Sequence, residues 1–181
     1  MPPLATPPRK TIALVGLMGV GKSSIGRRLA AALGMPFRDA DSEIETAAGR
    51  SIAEIFSNFG ESAFRDGERR VIARLLEEPP HVLATGGGAF AQDATRAVIK
   101  RKAISVWLKA DIEVLARRVA RRDHRPLLIG KDPLEVLRDH VRERYPAFEQ
   151  ADLVVETGEA AHQVAVDSII KALAAIPAES T

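Results

Sequence analysis

A glycine-rich loop constrains the fold of this chain more than any other sequence feature. Residues 16–23 read GLMGVGKS and fit the pattern G-x-x-x-x-G-K-[ST]. The segment before the loop, Thr11–Val15, is uncharged and rich in β-branched residues, which is typical of a strand buried on both faces of a parallel sheet. After the loop, Ile25, Leu29 and Leu33 recur every four residues and predict an amphipathic helix. The sequence therefore predicts a strand, a tight loop and a helix in succession.

This arrangement predicts a phosphate-binding site. Backbone N–H groups of the loop and the positive end of the helix dipole point at one spot, where a phosphate group fits. In this pattern the lysine, Lys22, reaches the β- and γ-phosphates, and the hydroxyl of Ser23 binds Mg²⁺. A glycine-rich turn that matches by chance is the alternative, and the flanking strand and helix disfavour it. We therefore expect the chain to bind a nucleoside triphosphate together with Mg²⁺.

Composition and charge argue against several other classes of protein. The 181 residues suit one compact domain, and we expect residues 9–181 to form it behind a disordered leader, residues 1–8, which contain four prolines. A net charge of +2 and an aromatic content of 4% argue against nucleic-acid binding. The absence of cysteine excludes disulfides and thiolate metal sites. No apolar segment is long enough to span a membrane and no coiled-coil repeat occurs, so we expect a cytoplasmic monomer that does not bind membranes.

Apolar segments alternate with helical segments along the chain. This alternation predicts an α/β fold of three layers, with a central five-stranded parallel sheet flanked by helices. The predicted strands are Thr11–Val15, 37–40, 81–84, 103–108 and Leu153–Glu156. The predicted helices are Lys22–Leu33, 42–48, 52–58, 61–76, 94–100, 112–121, Pro133–Phe148 and 160–173. Asp111 and Asp132 are predicted to cap two of these helices, the second with Pro133 in its first turn.

Two clusters directly follow predicted strands, and ligands of such sheets bind at the carboxyl ends of the strands. Asp39 and Asp41 follow the second strand and suit a phosphate-bound metal and a substrate hydroxyl, with helix capping as the alternative. Gly86, Gly87 and Gly88 follow the third strand. A ligand that approaches the backbone closely would explain three glycines, and a flexible turn is the alternative.

Two further features carry concentrated positive charge. Residues 121–131, RRDHRPLLIGK, interrupt two helices and suit a mobile lid that brings an arginine onto the phosphates, with a solvated loop as the alternative. Arg65 and Arg144 lie on predicted helices, and paired arginines bind a carboxylate through two parallel hydrogen bonds. Glu68 follows Arg65 by three residues, a spacing that permits an ion pair. The alternative for each arginine taken singly is an ordinary surface residue without a binding role.

The motifs at these positions closely resemble those of the shikimate kinase family. They are GLMGVGKSSIGRRLA from Gly16, DAD from Asp39, GESAFRDGE from Gly60 and TGGGA from Thr85, joined by RPLL from Arg125 and RERYPAF from Arg142. The loop alone is shared by many functions, but its combination with the other motifs is specific. The resemblance implies a P-loop kinase fold of the nucleoside-monophosphate-kinase type, with a substrate-binding region at residues 40–68 and a mobile lid at residues 119–132.

The resemblance also implies a reaction and its residues. Members of that family transfer the γ-phosphoryl group of ATP to the 3-hydroxyl of shikimate, on the route to chorismate and the aromatic amino acids, and the resemblance predicts the same reaction here. Lys22 and Arg125 resemble the groups that offset charge on the phosphoryl group, and Asp41 resembles the carboxylate that orients the attacking hydroxyl, whether or not it also takes the proton. Ser23, and Asp39 through water, resemble the residues that hold Mg²⁺.

Two sets of binding residues follow from the same resemblance. The residues that resemble ATP contacts are Gly19, Val20, Gly21, Lys22, Ser23, Ser24, Arg118 and Arg125. The residues that resemble shikimate contacts are Asp41, Phe56, Phe64, Arg65, Gly86, Gly87, Gly88 and Arg144. In this second set the two arginines face the carboxylate of shikimate, and the two phenylalanines form a wall beside its ring.

Two positions depart from the family pattern. Ser24 stands where threonine is commoner, and residues 156–162 lack the proline that usually ends the adenine loop, which leaves the adenine contacts open. Gluconate-type and nucleoside-monophosphate kinases share the loop and the lid, but they explain the paired arginines and the phenylalanine wall less well. A GTP-dependent switch would carry an N-K-x-D segment, which the sequence lacks.

Overall fold

The computed structural model describes residues 6–121 and 130–177. Its centre is a sheet of five parallel strands in the order β2-β3-β1-β4-β5. The strands are β1 (Thr11–Val15), β2 (Phe37–Asp39), β3 (Val82–Ala84), β4 (Ala103–Lys109) and β5 (Leu153–Glu156). The helices are α1 (Lys22–Leu33), α2 (Ala40–Ala48), α3 (Ile52–Leu75), α4 (Asp93–Lys102), α5 (Ile112–Ala120), α6 (Pro133–Phe148) and α7 (His162–Ala174). The predicted α/β fold with a five-stranded parallel sheet flanked by helices is confirmed.

The register of the sheet brings the predicted motifs together. The central strand β1 pairs with β3 on one side and β4 on the other, and Leu14 lies opposite both Ala84 and Val106. On the outer side of β3, Asp39 of β2 also lies opposite Ala84. The carboxyl ends of β1, β2 and β3 are therefore neighbours. The glycine-rich loop, the two aspartates and the three glycines leave the sheet at this shared edge.

The core lies on both faces of the sheet. Every residue of β1 is buried, as expected for a strand covered by helices on both sides. The helix α1 turns Ile25, Leu29 and Leu33 inward, which confirms the predicted apolar face. On the far side of the sheet, Phe90 and Phe148 are fully buried with their rings 6.4 Å apart. None of the helices in the described ranges is both long enough and apolar enough to cross a membrane.

The two helices predicted at 52–58 and 61–76 are present as two helical segments within Ile52–Leu75, which together are labelled α3, and they meet at a kink. At the kink, Gly60 adopts φ 84° and ψ 174°, a conformation that is essentially restricted to glycine because a Cβ would crowd the adjoining backbone. One non-helical residue therefore separates the two helical segments. The 3₁₀ turn at Ala89–Ala91 was not predicted.

The two predicted helix caps have different outcomes. A side-chain oxygen of Asp132 accepts from the N–H of Leu134 at 3.1 Å, and Pro133 occupies the first turn of α6, as predicted. Asp111 occupies the N-cap position of α5, as predicted, but its side chain makes no capping hydrogen bond. Burial raises the pKa of the nearby Tyr145 phenol, and the charge of Asp111 adds to the rise.

Candidate active site

The phosphate loop connects the end of β1 to the first residue of α1. Gly21 occupies the N-cap of α1 with φ 98°, and no side chain in the described part of the protein caps this helix. The left-handed backbone favours glycine, and the uncapped N–H groups of the first turn can bind an anion. Lys22 Nζ donates to the carbonyl oxygens of Gly16 at 2.7 Å and Leu17 at 2.9 Å. The loop therefore carries both N–H donors and an ammonium group.

The two aspartates after β2 lie beside this loop. The hydroxyl of Ser23 donates to Asp39 Oδ2 at 2.6 Å, and Asp39 Oδ1 accepts from the N–H of Ser42 at 3.2 Å. Asp39 therefore caps α2 with one oxygen and contacts the phosphate loop with the other. Asp41 lies in the first turn of α2 and lines the cleft above the loop. A hydroxyl and carboxylates are the oxygen ligands that Mg²⁺ prefers, so the cleft has the chemistry of a magnesium-phosphate site.

The three glycines after β3 make room for charged side chains. A Cβ atom at Gly86 would lie 3.0 Å from both Asp41 Oδ1 and Glu68 Oε2. A Cβ atom at Gly88 would lie 2.5 Å from Arg65 Nη2, and one at Gly87 would lie 3.2 Å from a backbone nitrogen of the phosphate loop. This crowding disfavours the alternative of a merely flexible turn. The glycines allow a carboxylate pair and an arginine to approach the end of β3.

Arg65 is held by an ion pair on its own helix. Its Nη1 donates to Glu68 Oε1 at 2.8 Å, which confirms the ion pair predicted from their spacing, and its Nε lies 3.5 Å from Glu61 Oε1. Glu68 is fully buried, and burial raises the pKa of its carboxyl group while the charge of Arg65 opposes the rise. A buried partner of this kind fixes the direction in which the guanidinium points.

Arg144 approaches the same region from α6. Within the described residues no carboxylate lies within 4 Å of its guanidinium, whose Nη1 would be 3.5 Å from a Cβ atom at Gly87. Burial lowers the pKa of Arg144 to about 10, and the nearby charge of Arg65 adds to the effect. Two guanidinium groups therefore face one region, and among the described residues a close counter-ion is present for Arg65 and not for Arg144. An anion bound between them would relieve the repulsion.

These side chains enclose a cavity of about 530 Å³ between α2, α3, α6 and the three glycines. Phe56 and Phe64 form one wall, with ring centroids 4.8 Å apart, and the two arginines lie on another. The residues that line both this cavity and the phosphate cleft are Met18, Asp41, Gly86 and Gly87. The phosphate loop thus lies at one end of a continuous site with a mixed aromatic and cationic interior.

Several cavity residues were not predicted from the sequence, and His140 is one of them. His140 is 9% exposed, lines the cavity and precedes Arg144 by one helical turn. Burial, together with the charges of Arg144, Arg65 and Lys131, lowers the pKa of its imidazole to about 4, and the charge of Asp139 opposes this shift. The four-residue spacing to Arg144 was the available signal, because it places both side chains on one face of a helix.

Several buried polar atoms of the cavity wall have no hydrogen-bond partner. Five such side-chain atoms occur in the part of the chain that the structure describes. Three of them belong to residues that line this cavity, namely Arg65 Nε, Glu68 Oε2 and His140 Nδ1. Buried polar groups are nearly always paired, so this concentration indicates a wall shaped for a polar ligand.

Arg118 connects the phosphate loop to the segment after β5. Its guanidinium donates to the carbonyl oxygens of Gly158 at 2.5 Å and Gly19 at 3.3 Å. A small cavity between them is lined by Val20 and His162 among others, and the His162 ring lies 3.2 Å from where a Cβ atom of Gly21 would be. The remaining predicted ATP contact, Arg125, and most of the predicted lid at 119–132 lie outside the described residues.

Comparison with known proteins is consistent with this geometry. Residues 18–174 match the family model of shikimate kinase. A shikimate kinase from Caulobacter vibrioides is 69% identical over 164 residues, which cover 91% of this chain and 82% of that protein. A solved structure of a shikimate kinase from Acinetobacter baumannii in complex with shikimate has a TM-score of 0.88 and 38% identity, covering 91% of this chain and 93% of that one. A gluconokinase from Sinorhizobium meliloti, with a TM-score of 0.65 and 19% identity over 93% of each chain, shares the fold alone. By sequence and by structure, the chain belongs to the shikimate kinase family.

Proposed function

We propose that this protein transfers the γ-phosphoryl group of ATP to the 3-hydroxyl of shikimate, giving shikimate 3-phosphate and ADP on the route to chorismate and the aromatic amino acids. Membership of the shikimate kinase family supports the proposal. The observation that carries it is the pair Arg65 and Arg144, which face one cavity that continues into the phosphate cleft. This arrangement suits a small carboxylic acid whose hydroxyl group accepts a phosphoryl group from a nucleotide in the neighbouring cleft.

The acceptor end of the site suits a rigid ring with one carboxylate. Arg65 and Arg144 provide planar donor groups that match a carboxylate, and among the described residues Arg144 has no carboxylate within 4 Å. Phe56 and Phe64 offer an apolar surface against which a six-membered ring can pack. The backbone of Gly86, Gly87 and Gly88 bounds the remaining side of the ring.

At the donor end, transfer requires alignment and charge stabilisation more than a strong base. The transition state is loose, with charge spread over the equatorial oxygens of the phosphoryl group. Lys22 offsets this charge from the loop, and Arg125 does so from the lid. Asp41 lies where the cavity meets the cleft and orients the attacking hydroxyl. Backbone and side chains of Gly19, Val20, Gly21, Ser23 and Ser24 surround the phosphates, and Arg118 contacts the nucleotide.

Mg²⁺ is part of the proposal. The contact between the Ser23 hydroxyl and Asp39 at 2.6 Å supplies two hard oxygen ligands beside the phosphate loop, and these fit the ion. Ser23 would bind Mg²⁺ directly and Asp39 through water. When bound, the ion neutralises charge on the β- and γ-phosphates.

The wider organisation follows the same proposal. Residues 9–181 act as one P-loop kinase domain behind a leader at residues 1–8, with the acceptor region at 40–68 and a lid at 119–132. The protein works in the cytoplasm as a monomer, with ATP and shikimate as its partners and without nucleic acid or membrane.

The experiment is a coupled ADP-release assay with ATP, Mg²⁺ and a panel of acceptors. The panel holds shikimate, quinate, gluconate and nucleoside monophosphates at equal concentration. We expect ADP release that depends on shikimate and is absent with gluconate or the monophosphates. Release with one of those acceptors and not with shikimate would replace the proposal by another small-molecule kinase of the same fold.

A further inference from the structure

His140 lies at the acceptor end of the cavity and has no assigned role in the proposed reaction. It is 9% exposed and lines the cavity together with Arg65 and Arg144. Neither of its ring nitrogens has a hydrogen-bond partner among the residues that the structure describes, and Nδ1 is buried. An unpaired buried polar group costs free energy, so a residue whose only task is to fill the core would more simply be leucine.

The position of His140 connects it with the two arginines. His140 precedes Arg144 by four residues on α6, so both side chains leave the same face of the helix. The electrostatic influence of Arg65, from α3, and of Arg144 on the imidazole shows that both guanidinium groups lie near it. Asp139 and Lys131 are the other charged groups that act on it. The imidazole therefore borders the region where two guanidinium groups receive an anion.

The charge state of His140 suits a hydrogen-bond donor at this place. With a pKa of about 4, the imidazole is neutral at physiological pH and adds no third positive charge beside the arginines. A neutral imidazole still has one N–H donor. A carboxylate has about four lone-pair sites. Because Arg65 Nη1 is already engaged by Glu68, Arg65 has fewer donors left for the carboxylate, which retains capacity for a further donor.

Resting on the proposed function, we propose that His140 is a specificity-determining residue whose imidazole donates a hydrogen bond to the carboxylate of the bound acceptor. With this hydrogen bond, His140 joins Arg65 and Arg144 as a donor to the carboxylate, and the acceptor end of the cavity becomes selective for an acid. If the side chain at position 140 only filled space, a polar and an apolar residue of similar size would give the same affinity for the acceptor.

The test compares His140→Leu, which removes the donor, with His140→Gln, which keeps one. A hydrogen bond to a charged group predicts that His140→Leu raises the KM for shikimate by about 10-fold to 100-fold. We expect the KM for ATP and kcat to change by less than about threefold, since the contact is made equally before and during transfer. His140→Gln should recover most of the lost affinity. His81→Gln, at a buried histidine that contacts Thr11 outside the cavity, is the matched control and should leave the KM for shikimate unchanged.

Nuclear magnetic resonance of the wild-type protein provides a readout that does not depend on a variant folding. Saturation with shikimate should shift the ¹⁵N resonances of His140 and raise its pKa, because a carboxylate then faces the ring. Unchanged His140 resonances, an unchanged KM in His140→Leu, or equal losses in the Leu and Gln variants would overturn the inference. A wild-type protein that does not phosphorylate shikimate would instead overturn the proposed function.

Discussion

Replacing Arg144 by methionine should weaken acceptor binding without weakening the fold. Methionine keeps an apolar stem but removes the guanidinium that faces the cavity with Arg65. Losing one partner of a desolvated charged contact costs about 2–5 kcal/mol, and 1.4 kcal/mol corresponds to a factor of ten. We therefore expect the Kd of shikimate to rise by about 30-fold to several thousand-fold.

The same substitution should leave the stability of the ligand-free protein unchanged or increase it. Burial and the charge of Arg65 lower the pKa of Arg144 to about 10 in the folded protein, well below the ordinary value of an arginine. Below pH 10 the charged side chain therefore favours the unfolded chain, where its pKa is higher. Removing the charge relieves that cost at neutral pH. The melting temperature of Arg144→Met should equal or exceed that of the wild type.

Isothermal titration calorimetry with shikimate measures the first effect, and thermal unfolding without ligand measures the second. The matched control is Arg142→Met, because Arg142 lies on the same helix but is exposed and pairs with Asp139. Arg142→Met should alter neither quantity by much. Unchanged affinity in Arg144→Met, or an equal loss of affinity in the control, would refute the placement of a carboxylate between Arg65 and Arg144.

Three other predictions concern turnover, acceptor affinity and acid stability. Lys22→Ala should lower kcat by about a thousandfold or more in a folded protein, because charge on the transferring phosphoryl group is then less offset, and near-normal turnover would contradict this role. Gly88→Ala should raise the KM for shikimate by about 10-fold to 100-fold, because the new Cβ would lie 2.5 Å from Arg65 Nη2 and would displace the guanidinium. The control is Gly67→Ala, where no atom lies within 4 Å of the new Cβ. As the pH falls from 6.5 to about 4, the unfolded chain gains a proton that folded His140 does not, so wild-type stability should fall over this range. His140→Leu should flatten that loss in urea unfolding, and an identical pH profile would contradict the assignment.

Local signals in the sequence predicted the sheet and the phosphate loop well. The apolar run of β1, the loop pattern and the four-residue repeat of α1 each depend on neighbours along the chain, so they could be recognised without tertiary information. The pair Arg65 and Glu68 belongs to the same class, since its spacing on one helix determines its contact.

Asp39 shows where competing interpretations of a sequence need not exclude each other. From the sequence alone, helix capping and a role beside the phosphate loop are alternative interpretations of this residue. In the structure the two carboxylate oxygens separate these tasks, one accepting from Ser42 and the other from Ser23. The contact with Ser23 depends on β2 and β1 being brought together by the sheet, with β3 between them, which no local pattern encodes.

Tertiary packing explains what the sequence did not predict. A histidine on the buried face of a helix is usually a core residue, and only the packing of α6 against the turn Ala89–Ala91, directly after the three glycines, places His140 at the cavity. By contrast, the break between the two helical segments of α3 was predicted, because Gly60 has a low helix propensity, and its φ of 84° is non-helical. Asp111 stands at the right position to cap α5, yet its side chain does not turn back to the helix.

The most direct test of the central claim is identification of the phosphorylated product. The purified protein is incubated with ATP, Mg²⁺ and shikimate, and ³¹P and ¹H nuclear magnetic resonance follow the phosphorus signals and locate the ester on the ring. We predict one new monoester, on the 3-hydroxyl of shikimate, formed in equal amount with ADP. Inorganic phosphate in place of an ester, or an ester on another hydroxyl, would contradict the proposed alignment of shikimate between the paired arginines and the phosphate loop.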